Sequence, residues 1–138
     1  VMWRERSVRR VLAMQHRADV AVFGVGALSG SVASHVYAAG YLDEQDLDTL
    51  RAEQVVGDVC TVMLRADGSF SDIALNARAT GPTPRDLAAV ERRVCVASGT
   101  AKAAPLLAAL RAGVVTDLVV DEPTALEVLR HSRAMITR

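Results

Sequence analysis

Val94-Cys95-Val96-Ala97-Ser98-Gly99-Thr100-Ala101-Lys102, continued by an alanine- and leucine-rich segment over 103–112 and by Val114-Val115-Thr116-Asp117-Leu118-Val119-Val120-Asp121-Glu122, reads as strand, turn, helix, strand and acidic turn. Two β-branched runs about a dozen helical residues apart have the spacing that a crossover between parallel strands requires. The expectation is an α/β domain on a parallel sheet. Ligands of such sheets sit at the carboxyl ends of the strands, which puts residues 98–102 and Asp121-Glu122 on a functional rim. Ala103, Leu106, Leu107 and Leu110 make the apolar stripe of the helix, and Pro105 delays its start because proline is tolerated only where no intrahelical amide bond is needed. Lys102 then stands at the helix start beside free amides, where dipole and ammonium together favour an anion. It is also the only lysine among 16 Lys+Arg residues. A compact ammonium enters an oxygen-lined pocket, or forms an imine with an aldehyde, better than a planar guanidinium does. The alternative is a lysine kept by chance on a solvated helix start. Asp121 and Glu122 either face a ligand or complement the dipole of a last helix, with Ala125, Leu126 and Leu129 inward and a weakly ordered tail over 132–138.

Upstream, Asp19-Val20-Ala21-Val22-Phe23 reads as another buried strand, ending in Gly24-Val25-Gly26. Glycines there let the backbone turn or approach a ligand closely. Their spacing with Gly30 misses the dinucleotide fingerprint, so Gly24 and Gly26 mark either a plain turn or a ligand-facing loop. A helix over 31–39, closed by Gly40, precedes the clearest helix start in the chain, Leu42-Asp43-Glu44-Gln45-Asp46-Leu47, with Asp43 as cap and Leu42 stapled to Leu47. That helix runs to about Glu53, and a strand over 59–64 follows Gly57-Asp58. Asp58 either accepts hydrogen bonds from ligand hydroxyls or caps a loop. Ala66-Asp67-Gly68-Ser69 carries an Asp-Gly hairpin signal, which predicts that residues 70–75 return antiparallel to 59–64. Arg78, just beyond, either forks onto a phosphate or carboxylate or lies on the surface. Thr83 and Pro84 start a short helix over 85–91. A first helix over 7–16 sets Val8, Val11 and Leu12 on one face; Arg4, Arg6, Arg9, Arg10 and Arg17 make this region basic, and without a second helix at helix-turn-helix spacing it reads as a solvated or interdomain face.

The chain has 138 residues, 51% of them hydrophobic, enough for one domain with a full core. Its net charge of zero gives no general attraction to nucleic acid or membranes. The longest apolar run, over 20–28, contains glycines and falls short of the ~20 residues that span a bilayer. Cys60 and Cys95 sit in strand-like runs and suit reduced, buried thiols in a cytoplasmic protein. His16, His35 and His131 have no partners at metal-ligand spacing, and no nucleophile elbow or Ser/His/Asp pattern occurs. No metal, cofactor or catalytic constellation is expected.

Taken in order, Ala18-Asp19-Val20-Ala21-Val22-Phe23-Gly24-Val25-Gly26, Val56-Gly57-Asp58-Val59-Cys60, the Asp67-Gly68 turn, Val94-Cys95-Val96-Ala97-Ser98-Gly99-x-x-Lys102, Ala108-Ala109-Leu110-Arg111-Ala112-Gly113 and Leu118-Val119-Val120-Asp121-Glu122-Pro123-Thr124-Ala125 resemble the C-terminal effector-binding domain of SorC/DeoR-type bacterial transcriptional regulators, over about residues 7–131. The resemblance implies a Rossmann-like parallel layer related to sugar-phosphate isomerases and deaminases, with an antiparallel hairpin at or beyond its edge. It implies a non-catalytic, homo-oligomeric, cytoplasmic sensor of a phosphorylated sugar that controls a helix-turn-helix absent from this chain, so that DNA is reached only through that missing domain. The chain would be the later half of the effector domain, without its first strand and phosphate-cradling loop. By the resemblance Gly24, Gly26, Asp58, Arg78 and Lys102 face the pocket, with Asp121 and Glu122 beside them; Ser98 departs from the family, where glycine is common. The alternative is a sugar-phosphate isomerase on the same fold, with Asp58 or Glu122 as base and Lys102 as its partner.

Overall fold

The computed structural model of the chain describes residues 4–15, 17–28, 37 and 39–136. Of the helix expected over 31–39 only positions 37 and 39 are described, and His16 and His35 lie outside. In order, the described elements are α1 (Arg6–Gln15), β1 (Val20–Phe23), β2 (Val25–Ala27), α2 (Glu44–Ala52), β3 (Val55–Val59), β4 (Val62–Arg65), a 3-10 turn (Ala74–Arg78), α3 (Pro84–Ala88), β5 (Arg92–Ala97), a 3-10 turn (Thr100–Lys102), α4 (Ala103–Arg111), β6 (Asp117–Val120) and α5 (Glu122–Ile136).

The expected unit is present: β5 and β6 are parallel neighbours, with Cys95 beside Leu118 and Ala97 beside Val120, and α4 crosses between them. β1 pairs in parallel with the other side of β5, giving the order β1-β5-β6. At the amino ends Thr116 accepts from the Arg93 amide at 2.7 Å, and Arg92 meets Asp117 at 3.1 Å. β6 begins at Asp117, later than the expected 114, and α5 continues to Ile136, past the residue 132 where a weakly ordered tail was expected.

β1 passes through Gly24 directly into β2, which joins a second, antiparallel sheet of order β2-β3-β4. Its inner face carries α4. Gly57 of β3 makes this approach possible, since a Cβ there would lie 2.5 Å from the Pro105 Cβ and 2.1 Å from the Gly26 carbonyl oxygen. Phe23, Cys95 and Ala97 from the first sheet, Val59 and Leu64 from the second, and Ala103, Leu106 and Ala109 from α4 close the main core. The outer face of the second sheet buries Val55 and Met63 against Leu50 of α2 and Ile73, and Leu42 and Leu47 pack against this cluster. Asp43 caps α2 through the Asp46 amide at 2.8 Å, and Thr83 caps α3 in the same reciprocal way with Asp86.

The antiparallel hairpin differs from the one expected. Residues 59–64 are not one strand, because β3 stops at Val59 and β4 starts at Val62, with Cys60 and Thr61 as a two-residue turn at φ 50° and 71°. Positive φ at both positions matches the twist of paired strands, and here non-glycine residues supply it. The Asp67-Gly68 turn instead closes β4 and docks on the end of α4, where Arg111 donates to the Ala66 carbonyl at 2.7 Å. Residues 70–75 form no strand. Asn76 takes the place at the edge of β4 that they would have filled: its side-chain oxygen accepts from the Met63 amide at 2.7 Å, and its side-chain nitrogen donates to the Met63 and Phe70 carbonyls at 3.0 and 2.9 Å. One amide side chain thus satisfies the backbone groups that an added strand would have paired.

Candidate functional site

The register of the parallel sheet sets Phe23 beside Cys95 and Ala97 beside Val120, so the chain leaves all three strands at one rim, at Gly24, Ser98-Gly99 and Asp121. Gly24 lies close under β5; a Cβ there would sit 3.4 Å from the Val96 carbonyl oxygen. Gly99 takes φ +103°, a conformation open to glycine, and turns the chain from β5 into the 3-10 turn that leads α4. The Lys102 amide donates to the Gly99 carbonyl at 2.9 Å.

Lys102 is half-buried at the start of α4, and its ammonium makes no hydrogen bond or ion pair among the described residues. Its charge bears on Cys95, one layer in. Burial pushes the Cys95 thiol up to about 11, the Cys60 side chain adds to the rise, and Lys102 opposes it. Asp121 ties the rim together. Its carboxylate accepts from the Gly99 amide at 3.4 Å while its carbonyl accepts from Ala125 in the first turn of α5. The carboxyl is held below the usual range, first by the Thr124 hydroxyl, then by Gly99 and Ser98. Glu122 is exposed beside it. The rim therefore offers an ammonium, a helix start and a carboxylate within one strand-end cluster, a donor-and-acceptor set suited to a small polyhydroxylated anion.

The other expected site residues lie elsewhere. Gly26 is not in a loop but within β2, opposite Asp58 of β3. Asp58 is 5% exposed, accepts from the Thr61 amide at 3.1 Å, and stands against Tyr37, whose hydroxyl is pushed far up by burial and by this carboxylate. Because Gly57 faces α4, Asp58 projects from the opposite side of the sheet, so Asp58 and Lys102 do not converge. Arg78 does meet a carboxylate, but that of Asp46: Nη1 donates to both of its oxygens at 2.9 and 2.8 Å, and Nη2 donates to the Tyr41 carbonyl at 3.2 Å, which pins the Ala74–Arg78 turn to the start of α2. Gly99 falls within the rim segment expected over 98–102. Thr124, fully buried next to Asp121, was overlooked; its signal was a hydroxyl three residues after that aspartate.

Two surface grooves lie away from the rim: one of about 460 Å³ beside Phe70, Asp72, Asn76 and Arg85, and one of about 530 Å³ between α1 and the Cys60-Thr61 turn. Among the described residues no group of three or more His, Cys, Asp or Glu is arranged to hold a metal ion, and no helix is long and apolar enough to cross a membrane.

Comparison with known proteins gives concordant results. The family model described as "Putative sugar-binding domain" matches residues 1–130. The crystal structure of a domain of a possible sugar-binding transcriptional regulator from Arthrobacter aurescens is 50% identical, with a TM-score of 0.82 over 92% of this chain and 48% of that one. The transcriptional regulator LsrR of an Enterobacter species is 34% identical over 130 residues, and the deoxyribonucleoside regulator of Bacillus subtilis is 30% identical over 122. The chain spans 40% and 38% of those two relatives.

Proposed function

The chain belongs to the sugar-binding domain family of SorC/DeoR-type transcriptional regulators, and from that premise we propose that it is the part of such a regulator that senses a phosphorylated sugar. The observation that carries this reading is the rim itself: the single lysine of an arginine-rich chain stands at a helix start, at the carboxyl end of a parallel strand, with no hydrogen bond or ion pair to its ammonium among the described residues. A phosphate there meets a positive charge and the positive end of the α4 dipole, while Asp121 is placed to accept from sugar hydroxyls. The site is non-catalytic. An isomerase needs a base and a proton-stabilising partner aimed at one carbon, and the buried carboxylate Asp58 lies across the second sheet from Lys102. Gly24, Lys102, Asp121 and Glu122 form the effector contacts in this reading, with Gly26, Asp58 and Arg78 supporting the surrounding frame.

The sensor acts in the cytoplasm as a homo-oligomer, and DNA is bound by a helix-turn-helix carried elsewhere in a longer polypeptide. Calorimetric titration of that regulator with pentose, hexose and hexitol phosphates tests this, alongside an assay for loss of each sugar. Saturable binding without turnover, abolished for the dephosphorylated sugars, is expected; turnover, or equal affinity for the free sugars, overturns it.

A further inference from the structure

A buried hydroxyl beside the rim has no hydrogen bond among the described residues. Thr124, in the first turn of α5, is 0% exposed, and its Oγ1 is without a partner. Such a group is costly, because it gives up its bonds to water on folding, and a valine of the same shape would fill the place without that cost. Packing therefore does not account for a threonine here. The hydroxyl borders the carboxylate of Asp121, the residue that follows β6, and helps to hold that carboxyl below its usual range, but it is not aligned to bond it. The carboxylate is held loosely elsewhere as well: the Gly99 amide donates to it at 3.4 Å, a long hydrogen bond. Gly99 and Ser98 are exposed, so water competes for both, whereas Thr124 is shielded from solvent.

We infer that Thr124 is a positioning residue of the effector site, its buried hydroxyl donating to one oxygen of the Asp121 carboxylate while the other oxygen accepts from a hydroxyl of the sugar. The inference rests on the effector reading and adds to it the residue that orients the acceptor. A carboxylate can accept at both oxygens, and half-buried Asp121 borders both the exposed Gly99 turn and the buried Thr124. Its backbone is already fixed, because the Asp121 carbonyl accepts from the Ala125 amide at 3.0 Å, so the rotation of the side chain is what remains to be set. A donor in a solvent-shielded place sets it more firmly than Gly99 or Ser98 can, since hydrogen bonds strengthen where the local dielectric is low. The Thr124 bond forms as a sugar hydroxyl draws the carboxylate round. Its gain therefore appears in effector affinity and not in the stability of the fold.

The test compares Thr124→Val and Thr124→Ser in the longer regulator, by melting temperature without sugar and by calorimetric titration with the pentose, hexose or hexitol phosphate that the wild type binds most tightly. Thr124→Val is expected to melt no lower than the wild type, since it removes an unbonded buried hydroxyl, and yet to bind the sugar phosphate about 10-fold more weakly. Thr124→Ser should restore most of that affinity. In an Asp121→Ala background Thr124→Val should cost less than about 2-fold, because the hydroxyl acts through that carboxylate. A clear fall in melting temperature for Thr124→Val overturns the inference, since Thr124 would then be holding the fold. An equal loss of affinity in the Val and Ser variants also overturns it, as does a full effect of Thr124→Val without the Asp121 carboxylate. The two readings fail differently: a wild-type regulator that binds none of these phosphates defeats the effector reading and this inference with it, whereas wild-type binding matched by Thr124→Val defeats the inference alone.

Discussion

Lys102 and Gly57 show how single residues act here through position. The Lys102 ammonium is unspent among the described residues, so removing it should cost the ligand and spare the fold. Lys102→Met is expected to remove a charge-assisted hydrogen bond of ~1.5–3 kcal/mol, or about 10- to 150-fold in effector affinity, with an unchanged melting temperature. Lys102→Arg should recover little of it, because the guanidinium fork is larger and planar. Titration of both variants in the regulator, against the sugar phosphate that binds it, measures this. Gly57 is the opposite case, a residue with no side chain whose lack of one matters. Gly57→Ala would drive a methyl group into Pro105 and the Gly26 carbonyl, and should destabilise the chain by about 1–3 kcal/mol in urea denaturation without touching the rim.

At the scale of elements, the hairpin and its edge depend on two devices. The β3–β4 turn holds the β-branched Thr61 at φ 71°, where glycine would sit without strain. Thr61→Gly should therefore raise stability by up to about 1 kcal/mol, since its amide can still donate to Asp58. A decrease in denaturation midpoint would show that the Thr61 side chain contributes packing that outweighs the strain. Asn76 closes the edge of β4 with three hydrogen bonds. Asn76→Ala leaves the partly buried Met63 backbone groups without those partners and should cost about 2 kcal/mol. Amide exchange at Met63 should accelerate together with the loss of stability; protection equal to wild type would mean that another segment takes over the edge.

For the molecule as a whole, two aspartates tie together the ends of the parallel sheet. Asp117 is held low by Arg92 first and Thr116 next, and Asp121 by Thr124 first, then by Gly99. A carboxyl whose folded pKa lies below its unfolded value of 3.8 stabilises the fold above that value and loses the contribution as pH falls through the folded one. The melting temperature should therefore be flat near neutrality and drop below about pH 4, and Asp121→Asn should shallow that drop. An unchanged acid limb in the variant would place the loss at other carboxylates. By itself the sequence determined the βαβ unit, the third parallel strand, the caps at Asp43 and Thr83, and the place of Lys102 on the rim, because periodicity, capping and helix polarity act over a few neighbouring residues. Only the tertiary structure decided the rest. Whether Asp67-Gly68 joined two strands depended on Asn76 and the end of α4, distant partners that compete for the same backbone groups. Whether Asp58 reached Lys102 depended on the side of the sheet it faces, which is set by register with another strand, and whether Arg78 did depended on its ion pair to Asp46, 32 positions away in the chain.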